Sequence, residues 1–288
     1  MQREEKNHAG VWGYRAVEGL SSFLPMQVGY SLAKTASRVV WLFRPAIRKQ
    51  VCRNLSQLTG KAPESFGAAS RQLFCNFGFY LFETFAMHRL KEPLVVTEGL
   101  DHLEKAFRQN RGVIVLTAHL GNWELGSRVL QKLGFSTSAV ALPHADRRLD
   151  LLFDTQRKRY GAEVIALDGN VARESLKALS RGRLLGLLAD RDFMGDGIPV
   201  RVGQATMIVP RGPAVLSLRS QAPIVPVFLV REGWWRFRLI CEPALWPAKE
   251  SPAKQAVEDL VFAYTRPVEA MLKRYSDQWL MFQAAFQT

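Results

Sequence analysis

The sequence predicts an α/β protein: a central, mostly parallel sheet flanked by helices, with a helical N-terminal part. Three observations carry that expectation. Short β-rich apolar runs alternate with stretches of helical periodicity from about residue 91 onward, the pattern of a parallel sheet with crossover helices. Apolar residues recur at spacings of three and four from Trp12 to Leu58 and again over 69–90, as in helices packed on one face. The chain has 288 residues, 48% hydrophobic and 23% charged, enough for one large domain. No linker-like composition or repeat divides it. Residues 1–90 are expected as a helical, membrane-associating part and 91–288 as the α/β core, continuous with it.

Met1 to Gly10 is polar and reads as loose. Trp12 to Leu58 reads as helical, with Pro25 and Pro45 breaking or starting segments. Val40, Phe43, Ile47, Val51 and Leu55 form a stripe accompanied by Arg38, Arg44, Arg48, Lys49 and Arg53. A basic amphipathic helix of this kind can lie in a membrane interface, and the same pattern fits a helix packed on the core. Residues 69–90 predict a further helix, with Phe74, Phe77, Leu81 and Phe85 on one face. It is read as a core helix, with an acyl-chain groove as the alternative. A short strand is expected within Lys91 to Gly99 and a helix over 100–109.

Val113 to Thr117 is apolar and β-branched, bounded by Gly112, and predicts a buried strand. The chain then turns through Ala118, His119, Leu120 and Gly121. Asn122 is a good N-cap for a helix with Trp123, Leu125, Val129, Leu130 and Leu133 as its apolar stripe. His119 is thereby placed at a strand's carboxyl end, where open α/β sheets bind ligands. Glu124 follows five residues later, in the first helical turn, and its carboxylate is expected to fold back to the imidazole. An imidazole can take a hydroxyl proton, and a carboxylate on its other nitrogen fixes the tautomer. Free N–H groups at the helix start can stabilise an oxyanion. Together these are the parts of a direct acyl transfer. A histidine merely satisfied at a strand end is the plainer alternative.

Downstream, Ser138 to Leu142 predicts a strand ending in Pro143, His144 and Asp146. Residues 147–160 read as a basic helix carrying Arg157, Lys158 and Arg159. Glu163 to Leu167 reads as a strand and 171–181 as a helix. Leu184 to Ala189 is a buried strand whose end carries Asp190, Arg191 and Asp192. An arginine there can hold a phosphate by paired hydrogen bonds, and the aspartates can orient it. Pro210, Gly212 and Pro213 start a helix with Arg211 at its N-terminus. Ile224 to Val230 is a strand in which Pro226 suggests an edge or irregular position. Trp235 to Cys241 alternates as a last strand, and Ser251 and Pro252 cap a helix running toward Arg274.

These blocks resemble one family. HLGNWE, with His119 and Glu124 as an H-x-x-x-x-E pair, looks like the first block of the glycerolipid and lysophospholipid acyltransferase superfamily. It is most similar to the bacterial lipid A biosynthesis acyltransferase branch, which also holds phosphatidylinositol mannoside acyltransferases. RKQVCRNL (Arg48 to Leu55), LLGLLADRDFMGDG (Leu184 to Gly197), IVPV (Ile224 to Val227) and DQWLMFQ (Asp277 to Gln283) agree with it, over roughly residues 12–286. Glu83 resembles a recurrent glutamate of that family. DRDFMGDG departs from the FPEG-type motif of glycerol-phosphate acyltransferases, which argues against simple glycerol 3-phosphate as acceptor.

The resemblance implies an O-acyltransferase with His119 as general base and Glu124 orienting it. Asn122, Asp190, Arg191, Asp192, Arg157 and Arg159 are the expected substrate-binding residues. The donor is an acyl thioester on acyl carrier protein or CoA, used as co-substrate, with no other cofactor. The acceptor is an anionic glycolipid such as a lipid A precursor, with inositol mannosides or lysophospholipids as alternatives. Location at the cytoplasmic face of the bacterial inner membrane, peripheral or monotopic, is expected. No G-x-S-x-G nucleophile elbow is present, so no covalent acyl-enzyme is expected.

Bulk properties fit. The net charge is +13, which favours anionic partners. No nucleic-acid-binding signature accompanies it. The three cysteines are widely spaced, as in a reducing compartment. The five histidines lack metal-ligand spacing. No signal peptide is apparent, nor any apolar run of the ~18–20 residues that span a bilayer. A non-catalytic, basic membrane-binding protein is the alternative from another class.

Overall fold

The computed structural model describes residues 8–142, 147–248 and 253–287. Pro143, His144 and Asp146, the Ser251–Pro252 cap and the first seven residues lie outside them. Helices α1 (His8–Ser21), α2 (Met26–Phe43), α3 (Pro45–Thr59) and α4 (Gly67–Ala86) come first. Then follow β1 (Leu94–Glu98), α5 (Leu100–Phe107), β2 (Val113–Thr117), α6 (Trp123–Lys132), β3 (Thr137–Ala141), α7 (Arg147–Arg159), β4 (Glu163–Ala166), α8 (Val171–Ser180) and β5 (Leu184–Leu188). The chain closes with β6 (Ile198–Val202), β7 (Ala205–Val209), α9 (Gly212–Ser220), β8 (Ile224–Gly233), β9 (Arg236–Cys241) and α10 (Ala253–Arg274).

Seven strands form one sheet in the order β1-β9-β8-β2-β5-β3-β4. β8, β2, β5, β3 and β4 run parallel; β9 is antiparallel to β8, and β1 is parallel to β9. Each central strand alternates between two cores. Val113, Val115, Leu184 and Leu229 face α4, α5 and α6, while Ile114, Leu116, Leu185 and Phe228 face α8, α9 and α10. Burial on both faces explains why β2 reads as an unbroken apolar run.

Two expectations change, and one element is new. The stripe from Val40 to Leu55 belongs to two helices, because Pro45 starts α3 after a break at Arg44. Val51 and Leu55 are fully buried, whereas Val40 and Phe43 are exposed. The β6–β7 hairpin is an addition to the expected elements, since Arg201 and Thr206 weaken its apolar signal. Strand β8 is interior, not an edge. Pro226 sits where its pairing with β2 ends, and its carbonyl accepts from Glu242 N–H at 2.9 Å. A proline cannot return that bond, and β9 ends at Cys241.

α2 lies against α4 through small residues. A Cβ on Gly29 would come within 2.2 Å of the Phe82 ring, and one on Gly78 within 2.2 Å of Ser37 Oγ. Tyr30 packs on Phe79 and Phe82 of α4, while Val28, Leu32, Val39, Val40, Leu42 and Phe43 of α2 stay exposed.

Candidate active site

The register of two parallel strands builds the centre. Thr117 of β2 lies opposite Leu188 of β5, and the ladder continues with Ala189 N–H donating to Thr117 O at 2.9 Å. Two residues beyond each strand end, His119 and Asp190 are therefore neighbours. Asp190 Oδ1 is 2.9 Å from His119 Nδ1, and Oδ2 accepts from His119 N–H at 3.0 Å. Trp279 Nε1 donates a third bond to Oδ2 at 2.9 Å.

The Asp190 side chain is wholly buried. Burial alone would raise its carboxyl pKa, but His119 and Trp279 override that and hold it below the ordinary carboxylate value. A carboxylate only accepts hydrogen bonds, so Nδ1 carries the proton and the Nε2 lone pair is left available. The His119 ring is a fifth exposed and lines the cavity described below.

The turn between β2 and α6 is clamped on all sides. Gly121 has φ +66°, and a Cβ there would sit 2.0 Å from Leu229 O, so this position requires glycine. Gly121 N–H donates to Gln278 O, Asn122 N–H to Leu229 O, and Leu280 N–H to His119 O. Asn122 caps α6, with Oδ1 accepting from Leu125 N–H at 3.0 Å. Its Nδ2 donates to Glu83 Oε2 at 2.8 Å. Glu83 is fully buried and also receives the Tyr30 hydroxyl and both terminal nitrogens of Arg231.

Glu124 has a different partner from the one its spacing suggested. Its carboxylate receives Arg157 Nε at 3.0 Å and Nη2 at 2.5 Å, so it holds an arginine, while Asp190 holds the histidine. Burial would lower the Arg157 pKa, yet Glu124 overrides this and raises it. Tyr80 packs above: burial and the Glu124 charge push its hydroxyl pKa well above the usual value, so it stays neutral. Its ring stacks on Trp123 at 4.5 Å, and Trp123 meets the His119 ring edge-on at 5.2 Å.

A cavity of about 640 Å³ opens at this edge of the sheet, lined by His119, Trp123, Glu124, Arg157, Arg191 and Asp192 among others. It is mostly apolar beyond its mouth, with the hydroxyls of Ser127, Thr137, Ser138 and Ser175 in its lining. Gly126 on α6 and Gly186 on β5 open space over Val115, Leu130, Leu184 and Leu229. Arg191 stacks on Phe193 at 4.5 Å. Asp192 closes its own loop, accepting from Met194 and Gly197 N–H at 3.0 and 2.9 Å.

Of the residues expected in the site, His119, Glu124, Arg157, Arg191 and Asp192 line this cavity. Three do not. Asn122 is wholly buried with both ends of its amide bonded. Asp190 is spent on His119 and Trp279. Arg159 is exposed on the far side of α7, next to His88 rather than the cavity. The helix-start N–H groups are also fewer than expected. Gly121, Asn122 and Leu125 are committed elsewhere, and Trp123 and Glu124 keep theirs without a partner among the described residues. Trp279 was missed as a site residue because it lies 89 positions from Asp190. Its only signal was the terminal QW motif. Phe74 and Phe85 are core, and of the aromatic residues of α4 it is Tyr80 that reaches the cavity. No group of three His, Cys, Asp or Glu side chains that could hold a metal ion occurs among the described residues.

Known proteins share this sequence pattern. The profile of the bacterial lipid A biosynthesis acyltransferase family matches residues 2–288. A phosphatidylinositol mannoside acyltransferase of Mycolicibacterium smegmatis is 30% identical over 81% of this chain and 79% of its own length. A lipid A biosynthesis palmitoleoyltransferase of Escherichia coli is 28% identical over 66% of this chain and 61% of its own. The 1-acyl-sn-glycerophosphate acyltransferase PlsC of Thermotoga maritima aligns over 84% of this chain and 98% of its own, at 14% identity and a TM-score of 0.39, too distant a likeness to add weight. With a match along its whole length, the chain belongs to the bacterial lipid A biosynthesis acyltransferase family and is an acyltransferase.

Proposed function

We propose that this acyltransferase moves a fatty acyl chain from a thioester, on acyl carrier protein or CoA, to a hydroxyl of a glycolipid such as a lipid A precursor. The observation that carries the proposal is the His119 ring, fixed through Nδ1 by buried Asp190 at the mouth of an apolar cavity. In this reading Nε2 takes the proton of the acceptor hydroxyl as its oxygen bonds to the thioester carbon. The negative charge that gathers on the carbonyl oxygen is met by the Trp123 and Glu124 N–H groups and by Arg157, held by Glu124. The C–S bond then breaks, and the imidazolium returns its proton to the leaving thiolate. Ester and thiol are the products, with no covalent enzyme intermediate. The donor chain lies under α6, in the space left by Gly126 and Gly186. Arg191 meets the anionic part of the acceptor.

The M. smegmatis relative keeps an inositol mannoside as the second reading for the acceptor, and lysophospholipids come next. We place the protein at the cytoplasmic face of the bacterial inner membrane, bound peripherally or monotopically. None of the described helices is long and apolar enough to cross a bilayer. Support comes from α2, whose exposed apolar stripe is flanked by Arg38 and Arg44.

The test is thioester consumption by the purified protein. Acyl carrier protein and CoA donors are supplied in parallel with a bacterial inner-membrane lipid extract, and the lipids are weighed by mass spectrometry. A lipid gaining one acyl mass with the wild type but not with His119→Ala is the expected result. Equal turnover in His119→Ala would sink the proposed base.

A further inference from the structure

The cavity reaches both faces of the sheet. One lobe runs under α6. The other runs between α8 and α9 on the opposite face, lined by Val171, Ala172, Ser175, Leu187, Pro213 and Leu216. We propose that this second lobe binds a hydrocarbon chain of the acceptor lipid.

The assignment rests on the acyl-transfer reading above. Without a covalent intermediate, donor and acceptor must be present together at one base. Two chains then need two apolar channels, and the cavity offers one on each side of His119. The mouths differ. The α8–α9 lobe opens beside Arg191, Arg211 and Arg219. Asp192 is consumed by its own loop, and Asp196 pairs with Arg211 at 2.8 Å. Arg191, Arg211 and Arg219 make this rim rich in guanidinium groups, the chemistry that recognises a lipid phosphate.

A second observation marks the lobe as a ligand site. Ser175 is fully buried, lines the lobe and has no hydrogen-bond partner among the described residues. Buried hydroxyls are ordinarily paired. An oxygen of the acceptor chain, an ester or a hydroxyl, would complete this one.

The experiment is native mass spectrometry of the full chain with two probes together: a hexadecyl-CoA thioether, which cannot transfer, and palmitoyl lysophosphatidylglycerol, with one chain and one phosphate. The wild type is expected to bind one of each at once. Ala172→Trp, at the exposed rim, and Ser175→Leu, in the interior, should each weaken lysophospholipid binding at least tenfold while leaving thioether binding within twofold. Arg219→Ala should erode the preference for lysophosphatidylglycerol over lysophosphatidylcholine. Circular dichroism checks that each variant is folded, and the rim variant stands if the interior one is not. Mutual exclusion of the two probes, or lysophospholipid binding unchanged in the folded filled variants, would overturn the assignment. Acyl transfer by the wild type, measured alongside with a reactive donor, separates the two ideas. Transfer with binding indifferent to the filled lobe sinks only the lobe. Both probes bound but no transfer to any lipid sinks the acyl-transfer reading and the acceptor assignment that rests on it.

Discussion

At the scale of single residues the centre divides into two pairs, and each pair makes a separate prediction. Asp190→Asn keeps the shape but can donate to Nδ1, so the neutral ring is free to turn its proton to Nε2. Transfer should fall on the order of 10²–10⁴-fold, read as kcat with little change in KM. The same variant should alter acid stability. Because the folded carboxyl has a depressed pKa, its contribution is present above the ordinary value near 3.8 and lost as pH falls through the folded one. Urea midpoints of the wild type should therefore drop below about pH 4 more steeply than those of Asp190→Asn. Glu124 belongs to the other pair. Losing Arg157 strands the buried Glu124 carboxylate, a cost of about 3–5 kcal/mol, whereas losing Glu124 leaves Arg157 its longer pair with Asp154 at 3.3 Å and should cost less. A double-mutant cycle should find Glu124 coupled strongly to Arg157 and weakly to His119. Strong coupling between Glu124 and His119 would contradict the geometry. The sequence made His119, Gly121 and Asn122 legible because turn chemistry is local. The partner of His119 was not legible, since it depends on which strand lies beside β2. H-x-x-x-x-E spacing favours the nearest carboxylate, and only the β2–β5 register shows that the relevant one is 71 residues away.

At the scale of elements, one buried cluster sets the angle at which α6 leaves the sheet. Glu83 of α4 joins Tyr30 of α2, Arg231 of β8 and the cap of α6, Asn122. Gln278 locks the other side of β8 through Arg231 N–H and O, at 2.8 and 2.9 Å. The expected order of damage follows from charge. Glu83→Ala leaves Arg231 buried without its carboxylate and should cost about 3–5 kcal/mol. Asn122→Ala removes a cap worth ~1 kcal/mol together with one bond to Glu83. Tyr30→Phe removes one hydroxyl and should cost ~1 kcal/mol. Thermal unfolding of the three variants checks the ranking, and a Tyr30→Phe loss equal to that of Glu83→Ala would refute it. Periodicity revealed the helix around Glu83 and the resemblance singled out the residue. Its role could not be read, because a buried carboxylate within an aromatic-rich helix says nothing of what it meets. The terminal segment was equally opaque. Asn54 of α3 donates to Met281 O and Gln283 O at 3.1 and 2.7 Å, so two motifs at opposite ends of the sequence are one contact in space.

At the scale of the whole molecule, α2 is the element whose surface is inverted. It turns Gly29, Ala33 and Ser37 toward α4, where close approach is needed. Val28, Leu32, Val39 and Phe43 recur at intervals of four, seven and four on its outer side, and Phe43 is 77% exposed. Phe23 in the preceding turn, 70% exposed, and Leu20 at the end of α1 are exposed as well. A soluble helix normally shows the opposite arrangement, and a contiguous apolar surface of this kind marks a binding face. Arg38, Arg44 and Lys49 lie exposed beside it, and each basic residue near an anionic surface adds about 1 kcal/mol of attraction. The expected behaviour is binding to vesicles containing phosphatidylglycerol, stronger than to neutral vesicles and weakened by salt as surface charges are screened. Leu42→Glu and Phe43→Glu replace exposed apolar groups with negative charge, far from the core. They should release the protein from vesicles while leaving its melting temperature within a few degrees of wild type. Transfer to acceptors presented in vesicles should then collapse, and transfer to a detergent-dispersed acceptor should persist. Vesicle binding indifferent to both substitutions would assign the stripe another partner, and equal loss in both assays would trace the effect to the catalytic centre instead of the membrane face.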